Sequence, residues 1–168
     1  DLRSDNYALF VEYLKQNISE CYQNFKYLLN SSVLDNALKE KIYSYFDENF
    51  KTENIKESLW CLTKALMEHH GQNAIVLMDE YDTPLQDAYM NKYFDEAIKP
   101  FRAMMGKVFK GNQYLYKGVI TGITRIAKES LFSGVNNLDV YDITSNKFSE
   151  YFGFTEEEVK QVCDPSHL

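Results

Sequence analysis

One short apolar segment constrains the fold of this chain more than any other feature. Residues 74–78 read Ala-Ile-Val-Leu-Met and are followed at once by Asp79 and Glu80. The run is too short for a helix, is rich in branched residues, and lacks the polar alternation of a half-exposed strand. It therefore predicts a buried parallel strand. Residues 114–123, with Val-Ile-Thr between two glycines, predict a second strand of the same kind.

Amphipathic helices are predicted before the first strand. Apolar residues recur every three or four positions over residues 10–28, 34–45 and 55–66, which places one apolar stripe on each helix. Gly71 follows the third pattern at the position of a left-handed helix cap. The segment before residue 74 is therefore expected to contain three helices and no strand.

Two helices are predicted between the strands. The first begins at Thr83, where a threonine can cap a helix, Pro84 suits the first turn and Gln86 stands where a capping box requires it. The second covers residues 94–108, where Pro100 either kinks the helix or starts a new one. Helical stretches of this length indicate crossover connections between parallel strands.

Two shorter helices are predicted after the second strand, over residues 126–132 and after Thr155, whose first turn carries three glutamates. The alternation of strands and helices indicates an α/β fold with a parallel sheet flanked by helices. We expect residues 1–168 to form one domain. Two strands alone make a poor sheet, so further strands are expected upstream.

Composition argues against several classes of partner. A formal net charge of -7 argues against a nucleic-acid or anionic-membrane binder, because both ligands attract a cationic surface. No window approaches the ~18 consecutive apolar residues of a membrane-spanning helix. The three cysteines lie far apart, without the spacing of a metal site or of paired disulfides. We therefore expect a cytoplasmic protein in a reducing environment.

Asp79 and Glu80 are the main candidates for chemistry. Ligands of open parallel sheets bind beyond the carboxyl ends of the strands, where these two acids stand. An apolar strand ending in Asp-Glu is the Walker B pattern, in which the aspartate helps to hold Mg²⁺ through its water shell and the glutamate orients or deprotonates the attacking water. A core strand followed by a solvated acidic turn, with Asp82 capping the next helix, fits the same short motif. Spacing alone favours this second interpretation.

The second strand supplies three more candidates. Thr121 stands at its end, and Thr124 and Arg125 follow in the next turn. A polar residue beside a Walker B strand can sense the γ-phosphate of a nucleotide, and an arginine can neutralise the charge that develops there. Taken alone, Arg125 is more simply a surface ion-pair partner.

Other chemistries have less support in the sequence. Phosphatases of the haloacid dehalogenase kind also begin with an apolar strand ending in acids, but their two aspartates are two positions apart, whereas Asp79 and Asp82 are three apart. The pair His69-His70 lacks the i, i+4 spacing of a metal-binding helix. No Gly-x-Ser-x-Gly elbow or Cys/His pairing occurs, so hydrolase triads are set aside.

Three blocks of the chain are long enough to compare with known families: IVLMDEYDTPL at residues 75–85, GVITGITRIAKESLFSGVNNL at 118–138, and YFGFTEEEV at 151–159. Together they strongly resemble the bacterial AAA-ATPase-like family, and they are far more specific than a Walker B motif alone. The resemblance implies a P-loop NTPase fold that uses ATP and Mg²⁺. It also implies Asp79 as the metal-side carboxylate and Glu80 as the catalytic base, with γ-phosphate sensing by Thr121 or Arg125 and nucleotide contacts by Thr124.

The resemblance carries two further implications. Family members often continue into a restriction-endonuclease-like domain, which would be the indirect link to nucleic acid. They also begin with a strand and a Gly-x-x-x-x-Gly-Lys-Ser/Thr loop, whose amides and lysine bind phosphates. No such loop occurs in these 168 residues. The chain is therefore expected to be the C-terminal portion of an AAA-ATPase-like domain without the Walker A strand, loop and helix, inactive alone although its parent is an ATPase.

Two functions stay open from the sequence. The first is a fragment of an ATP-hydrolysing domain that carries the Walker B and sensor regions. The second is a degenerate α/β interaction module that uses its helices, thirteen tyrosines and eleven phenylalanines to bind a protein partner or another copy of itself without catalysis. Because aromatic residues at helical spacing are more often core than interface, the second rests on the missing phosphate loop.

Overall fold

The computed structural model describes residues 4–123, 138–142, 144–148, 151 and 153–163. The chain divides into two units, Asp1–Asn136 and Asn137–Leu168, and each is described by itself. The candidate site lies in the first unit. None of the helices in these described ranges is long and apolar enough to cross a membrane.

Three helices precede the first strand, as the sequence predicts. They are α1 (Tyr7–Gln23), α2 (Asn36–Ser44) and α3 (Ile55–His70), with 3₁₀ turns over Lys26–Asn30 and Thr52–Asn54. Gly71 ends α3 with a φ of 68°, which confirms the predicted left-handed cap. The three helices of the first unit therefore follow largely from the spacing of its apolar residues.

The first helix is shorter than its apolar pattern predicts. The pattern continues through Phe25 and Leu28, but α1 ends at Gln23 with Asn24 as its C-terminal cap. The Asn24 side chain donates to the carbonyl of Glu20 at 3.4 Å, which satisfies one of the last carbonyls of the helix. Leu28 is buried from a separate 3₁₀ turn, so the prediction of one helix over residues 10–28 is wrong.

The crossover between the strands consists of α4 (Thr83–Met90) and α5 (Phe94–Phe109). The N-cap of α4 is Asp82 and not Thr83, so the predicted cap is one residue late. Helix α5 continues through Pro100 without a new start. Proline removes one helical hydrogen bond, but α5 buries a full apolar face around it, including Phe101 and Met105, and this burial offsets the loss.

The two strands, β1 (Ala74–Met78) and β2 (Leu115–Ile120), pair in parallel, with Leu77 opposite Val119 and Met78 opposite Ile120. This arrangement confirms the predicted α/β fold with a parallel sheet flanked by helices. Because the register is aligned at Met78 and Ile120, the residues that follow the two strands leave the sheet side by side.

The two faces of the sheet differ. Helices α3 and α5 pack on one face, where the backbone of Gly118 lies against the Phe109 ring, so closely that a Cβ at Gly118 would stand 2.4 Å from Cε1 of that ring. On the other face the side chains of Ile75, Leu77 and Val119 are 58%, 74% and 46% exposed. The prediction of a buried strand is therefore wrong for this face, because the described helices that pack on the sheet, α3 and α5, cover only the opposite side.

The core of the first unit lies between the helices. Helix α1 contributes the stripe Phe10, Leu14, Ile18 and Tyr22, and all four side chains are buried. Tyr22 stacks on Tyr45 with a ring distance of 4.8 Å and donates its hydroxyl to the carbonyl of Ser58 at 2.7 Å. Burial and the nearby thiol of Cys61 raise the pKa of Tyr22, so its hydroxyl stays a donor.

The second unit contains α6 (Glu156–Val162) in its described part. Thr155 accepts from the Glu158 backbone N–H, and the Glu158 side chain accepts from the Thr155 backbone N–H, which is a complete capping box. The prediction of a helix capped by Thr155 is confirmed. The helix predicted over residues 126–132 lies outside the described residues.

Candidate functional site

Asp79, Glu80 and Thr121 meet where the two parallel strands end. The Thr121 hydroxyl donates to Oδ1 of Asp79, across 42 residues of sequence. The backbone N–H of Thr121 donates to the carbonyl of Met78 at 2.9 Å, which extends the strand pairing by one residue. The acid that ends β1 is thus held directly against the hydroxyl that ends β2, and all three site residues are exposed to solvent.

Glu80 has a backbone conformation that is rare outside glycine. Its φ is 49°, in the left-handed region that costs an L-residue roughly 1–2 kcal/mol. The turn points the Glu80 backbone N–H at Oδ1 of Asp79, 3.1 Å away, and at Oγ1 of Thr121, 3.2 Å away. These hydrogen bonds stabilise the turn that ends the regular strand conformation after Asp79. Strained backbone of this kind is concentrated at functional sites.

The loops that follow the two strands are tied together by Asp82. This side chain has 0% exposure, and its Oδ2 accepts from the backbone N–H of Ile123 at 2.9 Å and from Nε2 of Gln86 at 2.9 Å. The N–H of Tyr81 donates to the carbonyl of Thr121 at 3.1 Å. The two loops approach each other so closely at residue 122 that this position requires glycine, because a Cβ there would lie 2.7 Å from Oδ1 of Asp82.

From the sequence, Asp82 is interpreted as a helix cap and, in the phosphatase comparison, as a second acid, so this contact is missed. A signal was present, since a third acid follows Asp79 and Glu80 before a proline while a glycine interrupts the end of the second strand. Burial and the charge of Asp82 raise the pKa of the neighbouring Tyr81. The pairing of Asp82 with the other loop follows from the register of the strands, which residue types alone do not specify.

A small apolar cleft of about 190 Å³ adjoins the acids. It is lined by side chains of α1, α3 and α5 together with the start of the β1 loop, among them Leu14, Leu59, Phe101 and Glu80. Glu80 therefore has water on one side and an apolar wall on the other.

The side chains near the site limit how a metal ion could be bound. Within the described residues, no group of three or more His, Cys, Asp or Glu side chains could coordinate a metal ion. Mg²⁺ does not need such a group, because it commonly keeps several waters and binds one or two carboxylates together with substrate phosphates. Asp79, exposed and with Oδ1 fixed by Thr121 and Glu80, fits that mode of binding.

Two predicted site residues, Thr124 and Arg125, lie outside the described residues. Their roles as nucleotide-contacting and γ-phosphate-neutralising residues stay predictions. Ile123, the last described residue before them, is held by Asp82. The histidines at the end of α3 make other contacts: His69 contacts the Ser31 hydroxyl and His70 the Tyr27 hydroxyl, both at 2.8 Å.

Comparison with known proteins gives the family of this chain. An uncharacterized protein in the vnfD 5'region of Azotobacter chroococcum mcd 1 is 31% identical over 96 residues, which are 56% of this chain and 18% of that protein. The chain thus corresponds to less than a fifth of that relative's length. No solved structure matches the chain. The model of the AAA-ATPase-like family, described as predicted AAA-ATPases, matches residues 2–132, and the chain therefore belongs to this family.

Proposed function

We propose that residues 74–125 form the metal-binding and γ-phosphate-sensing edge of an ATP-hydrolysing domain. The observation that carries the proposal is the contact of Thr121 with Asp79 at the carboxyl ends of two neighbouring parallel strands. This is the edge at which open α/β sheets bind nucleotides. The family of predicted AAA-ATPases to which the chain belongs supports the same chemistry.

Each residue has a defined role in this proposal. Asp79 is the Walker B aspartate and would hold Mg²⁺ through water, with Thr121 fixing the orientation of its carboxylate. When bound, Mg²⁺ neutralises phosphate charge and orients the γ-phosphate for in-line attack. Glu80 accepts a hydrogen bond, and then the proton, from the attacking water. Thr121 and Thr124 contact the nucleotide, and Arg125 neutralises charge on the γ-phosphate oxygens.

The exposed sheet face supports the proposal that the complete ATPase domain is larger than this chain. Ile75, Leu77 and Val119 form an apolar surface beside the acids, and parallel sheets are usually covered on both faces. We propose that a further part of the same polypeptide, carrying the phosphate-binding loop, covers this face. The 168-residue chain lacks that loop, so alone it would not hold ATP. A cytoplasmic location and a following endonuclease-like domain stay predictions from the sequence.

The same exposed face favours a second function, an interaction module without catalysis. Contiguous apolar surface on a folded protein commonly marks a contact with another chain. Under this alternative the acids Asp79 and Glu80 would be solvated turn residues. The polypeptide would then show no nucleotide binding or hydrolysis that depends on them. The two functions therefore differ in what these two carboxylates do.

The test uses the polypeptide extended upstream to include the phosphate-binding loop. We expect Glu80→Gln to bind ATP with Mg²⁺ normally but to lower kcat by about 10²–10⁴-fold, because it removes a general base without altering the shape of the site. Asp79→Asn should weaken Mg²⁺-dependent ATP binding measured by calorimetry. Asp95→Asn, an exposed acid in the first turn of α5, is the matched control and should change neither. Hydrolysis that survives Glu80→Gln unchanged would refute the proposal.

A further inference from the structure

Asp82 does not use its side chain as helix N-caps usually do. An N-cap aspartate normally accepts from a backbone N–H in the first turn of its own helix. In α4 the first-turn N–H groups of Leu85 and Gln86 instead donate to the backbone carbonyl of Asp82, at 3.0 and 2.9 Å, and the side chain makes no capping hydrogen bond. The carboxylate makes other hydrogen bonds, which serve another purpose.

That purpose is a bond to the neighbouring loop. Oδ2 of the Asp82 carboxylate accepts from the backbone N–H of Ile123 at 2.9 Å, across 41 residues of sequence, and Nε2 of Gln86 donates to the same oxygen. Hydrogen bonds to a charged acceptor are roughly twice as strong as neutral ones, and burial strengthens them further. Burying a carboxylate is costly unless it is hydrogen-bonded, and the bonds from Ile123 and Gln86 offset part of that cost.

Ile123 stands between the two parts of the proposed phosphate-sensing segment. It follows Thr121 by two residues and directly precedes Thr124 and Arg125. Thr121 in turn donates to Asp79. A shift of Ile123 would therefore move both the hydroxyl that orients Asp79 and the start of the segment that carries the arginine.

We propose that Asp82 is a positioning residue, whose buried carboxylate clamps the loop after β2 to the loop after β1 and so holds Thr121 in register with Asp79 and Glu80. In this role it acts through its hydrogen bond to Ile123. The functional part of this inference rests on the proposed ATPase activity. The structural link between the two loops does not.

The structural link is tested by amide hydrogen exchange in the 168-residue chain. We expect the Ile123 amide to be protected in the wild-type chain and to exchange about tenfold faster or more in Asp82→Ala, relative to core amides of α3, because a hydrogen bond to a charged group is lost. Asp82→Asn, which keeps an acceptor oxygen, should exchange at an intermediate rate. Asp87→Asn is the matched control, since Asp87 lies on the same helix and accepts the Ser4 backbone N–H at 2.5 Å; it should leave Ile123 unchanged.

The functional link is tested by steady-state ATP hydrolysis in the upstream-extended polypeptide. Asp82→Asn should lower kcat by about tenfold, because the displaced loop carries the proposed γ-phosphate-sensing residues. KM for ATP should stay within about twofold, because the phosphate-binding loop proposed upstream is unchanged. Asp87→Asn should change neither constant. A smaller folded fraction would also lower the apparent kcat at constant KM, so kcat is expressed per folded molecule, with the folded fraction of each variant measured by circular dichroism.

The possible results have separate meanings. An Ile123 amide that exchanges at an unprotected rate in the wild-type chain overturns the inference, even if Asp82→Ala does not fold. A protected Ile123 amide combined with an unchanged kcat in Asp82→Asn overturns the positioning role. A wild-type polypeptide that hydrolyses no ATP refutes the proposed function instead, and the exchange experiment still decides whether Asp82 holds the loop.

Discussion

Gly122→Ala is expected to destabilise the first unit, because the loops after β1 and β2 leave no room for a methyl group. These loops follow the acidic edge of the sheet, where Asp79 and Glu80 meet Thr121. An ideal Cβ at this position would stand 2.5 Å from Cε1 and 2.8 Å from Cδ1 of the Tyr81 ring, and 2.7 Å from Oδ1 of Asp82. Real Cβ atoms essentially never approach other heavy atoms within 3.0 Å. The Tyr81 ring and the Asp82 carboxylate must both move, and Asp82 is fully buried.

The magnitude follows from the cost of overpacking. Forcing one methyl group into a packed site typically costs about 1–3 kcal/mol. For a chain of this length that lowers Tm by about 2–12 °C. Urea unfolding followed by circular dichroism measures the difference directly.

Gly106→Ala is the matched control for this substitution. Gly106 lies inside α5, and apart from its chain neighbours and the backbone of its own helix no atom is within 4 Å of its ideal Cβ. Alanine should therefore stabilise the helix by about 0.5–1 kcal/mol through lower backbone entropy of the unfolded chain. The two glycine substitutions are thus expected to have opposite signs. If Gly122→Ala is as stable as the wild-type chain, the close packing of the two loops is not as described.

Three further predictions concern the core and the second unit. Tyr22→Phe should cost about 0.5–1.5 kcal/mol in urea unfolding, because it removes the buried hydrogen bond from the Tyr22 hydroxyl to the carbonyl of Ser58. Tyr43→Phe, at a side chain 68% exposed, should change stability by less than about 0.5 kcal/mol. Burial raises the pKa of the Cys61 thiol from 9.0 to about 11, so the folded state holds this proton more tightly; the resulting stability is complete below pH 9.0 and is lost as the pH rises to about 11. Cys61→Ala should flatten that part of the pH profile of the urea midpoint, and an equal slope in both proteins would contradict the assignment. Thr155→Ala should remove the capping box and destabilise α6 by about 1 kcal/mol, seen as smaller helical ¹³Cα shifts over Glu156–Val162; unchanged shifts would show that the cap is dispensable.

The sequence predicts the helices well where one physical signal dominates. The apolar spacing in α3 and the glycine that ends it are both local, and the structure confirms them. The end of α1 was missed because the apolar stripe continues across Asn24, so periodicity reports the buried face and not the helix boundary. Pro100 was ambiguous because its cost is local, whereas the burial that offsets it comes from the tertiary packing of α5.

The candidate site was predicted in part. The identities of Asp79, Glu80 and Thr121 and their position after two parallel strands follow from the sequence, and the structure brings them together. The positive φ of Glu80 and the bond from Ile123 to Asp82 could not be predicted, because both depend on how two loops about forty residues apart fit together. The exposure of Ile75 and Leu77 was also missed, since apolar composition shows what a strand prefers to contact and not what covers it.

Parallel pairing of β1 and β2 makes the acidic edge a late product of folding. The contact between Asp79 and Thr121 closes a loop of 42 residues that contains both crossover helices, whereas the turns of α1 to α3 form between near neighbours. During synthesis, Asp79 leaves the ribosome well before the threonine that orients it. A chain synthesised only as far as the acids therefore lacks the threonine that orients Asp79. The edge can bind a ligand in the proposed way only after α4 and α5 have packed and the two strands have paired.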